Sequence, residues 1–362
     1  MIRREVVGPN PMENIPGFAF ADWPFSPTGF EITLLLDGVP YVYALWVRNG
    51  TVLRESLSRH AGPGKRWRTV FSRTLDENTP GRSYHYVYGA GFGTGRKVLE
   101  ARTGADHTFL GTAALFAVKA VEPVYTWFRD LLCVVTDDKE LNALGTIEKM
   151  ANDPAFKDAV LRFLRAADPS LSAIGLELYR DEPLGRAPDP RLGEAPTQDG
   201  SGLLLVSLAH RSPKRLLTLS LGEEALGLRR LLHLAGFFVP SGCRNRTLCL
   251  DNLEAGLHPT LTESLLRDFQ SADAGPSAPQ LLFTSHGDFL LDNDTARPDA
   301  VLLRRDQIWL TEKNAEQASL LTCLDDLGPR KAESIRRGYR LGRYNLKVVE
   351  YTPHSISPRL NS

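Results

Sequence analysis

Two polar side chains stand at the ends of short apolar runs in the second half of the chain. Thr247–Leu250 leads to Asp251, and Gln280–Phe283 leads shortly afterwards to His286. Runs of this kind are typical of buried parallel strands. The segment between them, residues 259–269, carries apolar residues near helical spacing. This order, a strand with a carboxylate, then a helix, then a strand with a histidine, is typical of an ATP-hydrolysing core. In such a core the carboxylate orders Mg²⁺ and the histidine reaches the γ-phosphate side.

The composition bounds the class of protein. The chain has 362 residues, with 43 Lys and Arg against 43 Asp and Glu, so its formal net charge is zero. This balance gives no electrostatic reason to expect a nucleic-acid partner. The four cysteines form no Cys-x-x-Cys pair, which favours buried thiols in a reducing compartment. Since we find neither a signal peptide nor a bilayer-spanning apolar stretch, we expect a cytoplasmic protein without membrane contact.

Four segments carry a resemblance to a known family. LCLDNLEAGLHP at residues 248–259 resembles the Walker B motif and D-loop of ABC-type ATPases, and LLFTSHGDFLLD at residues 281–292 resembles their switch-histidine strand. LLRRDQIWLTEKN at residues 302–314 and PRKAESIRRGYRLGRYN at residues 329–345 resemble the C-terminal motifs of the AAA15 family. That family stands among ATPases of the SMC, RecF and OLD kind, and many members occur in bacterial defence gene clusters.

The resemblance implies an α/β fold: a P-loop NTPase-like (ABC-type ATPase) core with an antiparallel β layer and a helical insert, and ATP and Mg²⁺ as cofactors. The implied division is an N-terminal β-rich part at residues 1–105, a helical lobe at 106–180, a linker at 181–202, a C-terminal ATPase half at 203–345 and a tail at 346–362. The residues themselves support the β layer, because Asp37-Gly38 and Asn49-Gly50 separate strand-like runs in the manner of hairpin turns.

Two glycine-rich segments look like phosphate loops but lack the fixed Gly-Lys-Ser/Thr offsets of a Walker A motif. In residues 89–97, Arg96 follows Gly95, and Gly64-Lys65 is followed by Arg66 instead of a hydroxyl residue. We interpret both segments as glycine-rich hairpin turns.

By the resemblance, Asp251 is the Walker B aspartate and Mg²⁺ ligand, and His286 is the switch histidine. His258 lies in the D-loop, where the resemblance implies a structural or subunit-facing role. Asn252 occupies the position of the catalytic glutamate that polarises the attacking water. Since an amide cannot accept a proton at neutral pH, we expect general-base function to be lost.

Residues 222–230, where a helix is expected to begin, resemble the ABC signature motif. Glu224, Gly227 and Arg230 match it, but Ala225 stands at the signature serine. In the family, this helix start grips the γ-phosphate of ATP bound to the opposite subunit. These four residues, with His258, are the predicted nucleotide-binding set.

The P-loop strand and helix, with the Walker A lysine and hydroxyl, are absent from the sequence, which begins just after the position where the family has them. With Ala225 and Asn252, four features of the ATP site are missing, so we expect a degenerate ATPase acting as a scaffold or regulatory subunit. A sheet without its P-loop strand would expose backbone edges and apolar surface. A second copy in a homodimer, or a partner protein, would cover them.

Two alternatives stay open. The first is a competent ATP-binding ATPase whose Walker A segment is missing from this sequence, acting with an effector nuclease in a bacterial defence system. The second is a nucleotide-independent binding module that keeps only the fold. A small basic cluster near the tail does not decide for nucleic acid, because a solvated helix face explains it; its members are Arg336, Arg337, Arg340 and Arg343.

Overall fold

The computed structural model describes residues 12–20, 26–60, 62, 66–77, 83–136, 140–141, 145–179, 189, 193–196, 202–239, 246–271, 278–292, 301–330 and 333–344. The chain forms two compact units, Met1–Leu132 and Cys133–Ser362. Among the described residues, no helix has both the length and the apolar character needed to cross a bilayer.

The N-terminal unit is built on an antiparallel meander in which strands adjacent in sequence are adjacent in the sheet. Its strands are β1 (Thr28–Leu36), β2 (Val39–Arg48), β3 (Thr51–His60), β4 (Trp67–Leu75) and β5 (Tyr84–Tyr88).

The first two turns of the meander confirm the sequence prediction. Asp37 and Gly38 have φ values of 49° and 75°, and Asn49 and Gly50 have φ values of 47° and 74°. Two successive positive φ values are typical of a type I′ hairpin turn, which Asp-Gly and Asn-Gly favour because both residues tolerate the left-handed region.

A buried ion pair joins this sheet to its helices. Glu55 on β3 and Arg73 on β4 have fully buried side chains, and Arg73 Nε lies 2.9 Å from Glu55 Oε2. The Glu55 carboxylate also accepts the first two backbone N–H groups of helix α2 (Phe109–Leu115), at 2.6 and 2.8 Å. Arg73 donates in turn to two carbonyls of the loop before that helix. The pair therefore satisfies the backbone groups of this junction, which would otherwise be buried without partners.

The glycine-rich segment at residues 89–95 differs from its prediction. The composition predicts a hairpin turn, but the segment connects β5 to helix α1 (Arg96–Arg102). Gly93 and Gly95 have φ values of 96° and 80°, which only glycine adopts readily. The prediction of sharp backbone turns at these glycines is therefore confirmed, but the element that follows them is a helix and not a second hairpin strand. Of the second glycine-rich segment, residues 63–65 lie outside the described residues.

Helices cover one face of the meander. The core of this unit joins residues of the sheet, such as Leu45, Leu57 and Phe71, to residues of α2, of α3 (Glu122–Thr126) and of the π-helical turn Trp127–Leu131.

The C-terminal unit contains an antiparallel sheet and three helices packed against it. The strands are β7 (Leu171–Tyr179), β8 (Glu194–Pro196), β9 (Leu203–Arg211) and β10 (Leu216–Ser220), with β9 paired to the other three. The helices are α4 (Thr146–Asn152), α5 (Pro154–Arg165) and α6 (Leu226–Phe238).

The sheet that carries the predicted site has three strands, of which the second along the chain lies in the middle. Its strands are β6 (Leu132–Val135), β11 (Thr247–Leu250) and β12 (Gln280–Phe283). β11 and β12 run parallel and are joined by helix α7 (Pro259–Ser271), which buries Leu265 and Leu266. The predicted strand–helix–strand unit is therefore confirmed, and the residues that follow β11 and β12 leave the same edge of the sheet.

The last part of the chain adds a hairpin and a short helix. They are β13 (Trp309–Lys313), β14 (Ser319–Cys323) and α8 (Ile335–Arg340). A small core holds them together with the turn after β12; its buried members include Leu291, Ile308, Leu324 and Ile335.

The described elements differ from the expected division of the chain in two places. Residues 106–180, expected to be helical, also contain β6 and β7. β6 has only four residues, and burial along β7 does not alternate from residue to residue. Residues 181–202, expected to be a solvated linker, contain β8, where Ala195 is only 1% exposed because it packs into the core between the sheet and its helices. Most of the remaining linker, and the tail at residues 346–362, lie outside the described residues.

We expect Arg73→Leu to destabilise the N-terminal unit, because it leaves the Glu55 carboxylate buried without its cation. Removing one member of a buried pair lowers the free energy of unfolding by about 3–5 kcal/mol. The control is Arg68→Leu, at an exposed arginine on the same strand, which should change this free energy by no more than about 0.5 kcal/mol. Urea denaturation followed by circular dichroism measures both, and equally small effects would contradict the structural role of the pair.

Candidate functional site

The turn after β11 carries the predicted metal ligand. Asp251 is exposed, and its backbone N–H donates to the carbonyl of Val135 on β6 at 2.8 Å. Asn252 is exposed as well and has a φ of 59°, a left-handed conformation in which Asn is enriched. The chain therefore turns sharply at the carboxyl end of β11 and leaves both residues at the sheet edge.

The hydroxyl of Thr284, the residue after β12, bridges this turn to the neighbouring strand. It donates to Asp251 Oδ1 and accepts the backbone N–H of Asn252 at 2.9 Å. The backbone of Thr284 adds two bonds, from its N–H to the carbonyl of Leu250 and from the N–H of Leu253 to its carbonyl, each at 3.1 Å. Thr284 thus fixes the orientation of the Asp251 carboxylate. The sequence analysis did not identify this role.

A buried arginine holds the backbone of the same turn. Arg230 on α6 is 4% exposed, and its Nη2 atom donates to the carbonyls of Asp251 and Asn252, at 3.2 and 2.8 Å. One guanidinium thereby connects the helix of the predicted signature to the predicted Walker B turn. The structure places this predicted nucleotide-binding side chain against the protein's own backbone.

Two predicted signature residues lie at the start of α6. Ala225 is the exposed N-cap residue and, unlike serine, has no side chain that could accept a hydrogen bond from the first turn. Gly227 packs against the carbonyl oxygen of Gly256 so closely that a Cβ would collide with it. Packing within the chain is therefore sufficient to require glycine at position 227.

The third signature residue, Glu224, binds a histidine of the sheet. Its Oε1 lies 2.7 Å from Nε2 of His210 on β9, and its side chain is 6% exposed. His210 Nδ1 in turn lies 2.9 Å from Ser170 Oγ and 3.4 Å from Asp168 Oδ2. This cluster connects the start of α6 to β9 and to the loop after α5. Glu224 therefore positions the signature segment, and its partners are too distant in the chain for a local pattern to predict them.

The two predicted histidines are both exposed. His258 directly precedes α7; its carbonyl accepts the N–H of Thr262 at 3.1 Å, and its Nδ1 lies 3.3 Å from the backbone nitrogen of Thr260. His258 is thereby placed to cap α7. The backbone N–H of His286 donates to Oε1 of Glu254 at 2.7 Å, and Glu254 is a second residue that the sequence analysis missed.

The site's fit to a metal rests on Asp251. Among the described residues, no three or more His, Cys, Asp or Glu side chains are grouped to hold a metal ion. An exposed single carboxylate fits Mg²⁺ delivered with a nucleotide, because Mg²⁺ usually takes one or two protein carboxylates and completes its shell with phosphate oxygens and water. Asp251 would hold the ion, which would neutralise phosphate charge, and Thr284 would orient the carboxylate.

The basic cluster of the C-terminal segment is largely paired. Arg336 lies 3.1 Å from Asp288 and 3.3 Å from Asp292, Arg340 pairs with Asp288, and Arg343 lies 3.3 Å from Glu333. Arg337, Arg340 and Arg343 are also exposed, so the cluster is solvated, as predicted, and most of it is ion-paired within the unit as well. Asp288 lies two residues after His286, so α8 is tied to the loop that carries this histidine.

We expect Arg230→Met to destabilise the turn after β11, because methionine keeps much of the buried volume but donates no hydrogen bond. Leaving buried acceptors unpaired should lower the free energy of unfolding by about 1–3 kcal/mol. Arg162→Met, at an exposed arginine on α5, is the control. Amide hydrogen exchange should also show Asn252 and Leu253 opening faster in the Arg230 variant alone, and unchanged exchange there would contradict the contact.

Asp288→Asn tests the pairing with α8 through its pH dependence. Hydrogen bonds from Arg340 and Arg336 hold the pKa of Asp288 below its ordinary value. A lowered folded-state pKa contributes stability that is present above the unfolded-state pKa, about 3.9, and is lost as the pH falls through the folded-state pKa. The difference in unfolding free energy between wild type and variant should therefore be constant above about pH 5 and shrink towards zero at lower pH. An undiminished Asp288 effect at low pH would refute the ion pairing.

Comparison with known proteins identifies the family. Residues 24–292, well over half of the chain, match the family described as "AAA domain, putative AbiEii toxin, Type IV TA system". No curated protein matches the chain. The matched region runs from just before β1 to the turn after His286, so it includes the signature segment, Asp251 and Asn252. The chain therefore belongs to this AAA domain family of ATPase-like proteins.

Proposed function

We propose that this protein is an AAA-family, ABC-type ATPase homologue whose hydrolytic step is impaired and which acts as a scaffold or regulatory subunit. The observation that carries this proposal is Asn252, an amide at the position directly after the metal-ligand aspartate. The finer assignment to the AAA15 family rests on the resemblance of the C-terminal segments and belongs to the same proposal.

The position of Asn252 supports an impaired reaction. Its backbone is held by the Thr284 hydroxyl on one side and the Arg230 guanidinium on the other, so its exposed side chain stands where the resemblance implies the catalytic carboxylate. A carboxamide can orient a water molecule, but it cannot accept the proton of that water. General-base catalysis contributes about 10²- to 10⁴-fold to a rate. We infer that this contribution is absent here.

Ala225 supports the same conclusion from the other half of the site. The residue at the start of α6 has no hydroxyl to offer to a phosphate, and Glu224 is occupied by His210. A subunit of this kind would bind a nucleotide presented by a second subunit less tightly. A chain that keeps the fold without these catalytic groups is suited to act as a scaffold or regulatory subunit.

An open sheet edge supports a partner. Among the described strands, β12 ends the three-stranded sheet, and Leu282 at its centre is 48% exposed. Exposed strand edges with apolar residues favour pairing with another chain. We propose that a second copy or a partner protein covers this edge.

A second candidate is a competent ATPase that acts with an effector nuclease in bacterial defence. The ordered turn favours it, because Asp251 is oriented by Thr284 and His286 is present on the neighbouring loop. The family description, which refers to a toxin of a Type IV toxin–antitoxin system, is compatible with a defence role. In this case Asn252 would only orient water and the turnover would be slow.

Asn252→Glu tests the impairment, because it restores a carboxylate while the Thr284 and Arg230 contacts use the backbone of residue 252. The left-handed φ of 59° at this position disfavours glutamate and glutamine alike. With Mg²⁺ and radiolabelled ATP in single-turnover conditions, we expect negligible hydrolysis by the wild type and a rate about 10²- to 10⁴-fold higher for Asn252→Glu. Asn252→Gln is the matched control and should stay inactive. Wild-type hydrolysis that Asp251→Ala abolishes would contradict impairment and establish the competent ATPase.

A further inference from the structure

The turn that carries Asp251 contains a second carboxylate, which the resemblance does not assign. Glu254 lies three residues after Asp251, and its Oε1 atom accepts the backbone N–H of His286 at 2.7 Å. A hydrogen bond from an amide to an ionised carboxylate is about twice as strong as one between neutral groups. This contact therefore joins the predicted Walker B turn to the predicted switch histidine directly.

The contact continues a ladder between the two loops. The backbone and hydroxyl of Thr284 bond to Leu250, Asp251, Asn252 and Leu253, and this ladder stops two residues before His286. Glu254 supplies the next connection, by a side chain. Without it, among the hydrogen bonds of the described residues, those of Thr284 alone would join this loop to the turn.

The environment of the second oxygen of Glu254 shows whether this carboxylate could act as a general base or only as a structural hydrogen-bond acceptor. Oε2 is buried and has no hydrogen-bond partner among the described residues. A general base must reach the proton that it removes, directly or through one water. A carboxylate with one oxygen committed to His286 and the other closed to solvent does not meet this condition, so Glu254 is not a replacement for the glutamate missing at Asn252.

The other side of His286 is held as well. Asp288, two residues after His286, is fixed by Arg336 and Arg340 on α8. The loop therefore has two anchors, Glu254 at the histidine and Asp288 just after it. Of the two anchors, only Glu254 bonds to His286 itself, through its backbone, and leaves the imidazole free of that bond.

We propose that Glu254 is the positioning residue of His286: it fixes the backbone of the histidine loop so that the imidazole is presented at the Asp251 turn. What the imidazole then contacts rests on the proposed function. The positioning itself does not, because the hydrogen bond exists without a nucleotide. Glu254→Gln keeps an acceptor oxygen for the His286 N–H, whereas Glu254→Ala removes it.

Amide hydrogen exchange of His286 tests this proposal in the full chain. Selective ¹⁵N-histidine labelling gives signals from only 8 histidines, and the signal lost in His286→Gln identifies residue 286. We expect its amide to exchange about tenfold faster or more in Glu254→Ala, since a hydrogen bond to a charged group is lost. Glu254→Gln should restore most of the protection, and Glu263→Ala on α7 should leave it unchanged.

Two results would overturn the positioning role. One is unchanged exchange at His286 in Glu254→Ala. The other is acceleration of all histidine amides together, which would indicate a general loss of stability. If Glu254→Ala does not fold, Glu254→Gln decides. A His286 amide that stays protected relative to the unfolded chain supports the proposal, and full loss of its protection refutes it.

Addition of ATP and Mg²⁺ to the same samples keeps this inference distinct from the proposed function. A His286 signal that moves with nucleotide in the wild type, and moves less in Glu254→Ala, supports both. A signal that never responds to nucleotide removes nucleotide contact from the role of His286, while the exchange result still decides whether Glu254 positions it.

Discussion

The candidate site depends on one buried guanidinium. A charge in the interior is stabilised by hydrogen bonds, and Nη2 of Arg230 donates to the successive carbonyls of Asp251 and Asn252. The start of α6 and the turn after β11 therefore cannot move independently. Through Thr284 and Glu254 the same turn holds the loop of His286. The site is thus organised by the chain itself, before any nucleotide is present.

The N-terminal unit also contains buried charged side chains that hydrogen-bond to backbone groups, but there they join the sheet to a helix. Its buried Glu55–Arg73 pair has no exposed atom and distributes its hydrogen bonds over the start of α2 and the loop before it. In both units a charged side chain is buried where backbone groups of a turn or helix end lack partners. Such contacts are directional, so they fix the angle at which elements meet more sharply than apolar packing does.

Local patterns predicted much of this architecture. The Asp-Gly and Asn-Gly turns, the strand–helix–strand unit and the placement of Asp251 at a strand end follow from residue types over a few positions. The functions of Thr284, Glu254 and His210 could not be predicted in this way, because each acts on a residue 14 to 33 positions away. β8 was missed for a related reason: a three-residue strand exists only through its pairing with β9. The roles of Asn252 and Ala225 rest on the resemblance, and the structure adds how their backbones are held.

Equilibrium binding of ATP to the wild-type chain, with and without Mg²⁺, is the direct test of whether the aspartate turn still serves a nucleotide site. We propose that this chain keeps an ordered aspartate turn but, with Ala225 and Asn252, binds and activates a nucleotide poorly. We therefore predict weak binding, with little change between wild type and Asp251→Ala. Tight, saturable, Mg²⁺-dependent binding that Asp251→Ala abolishes would contradict the scaffold function and show that the site is in use.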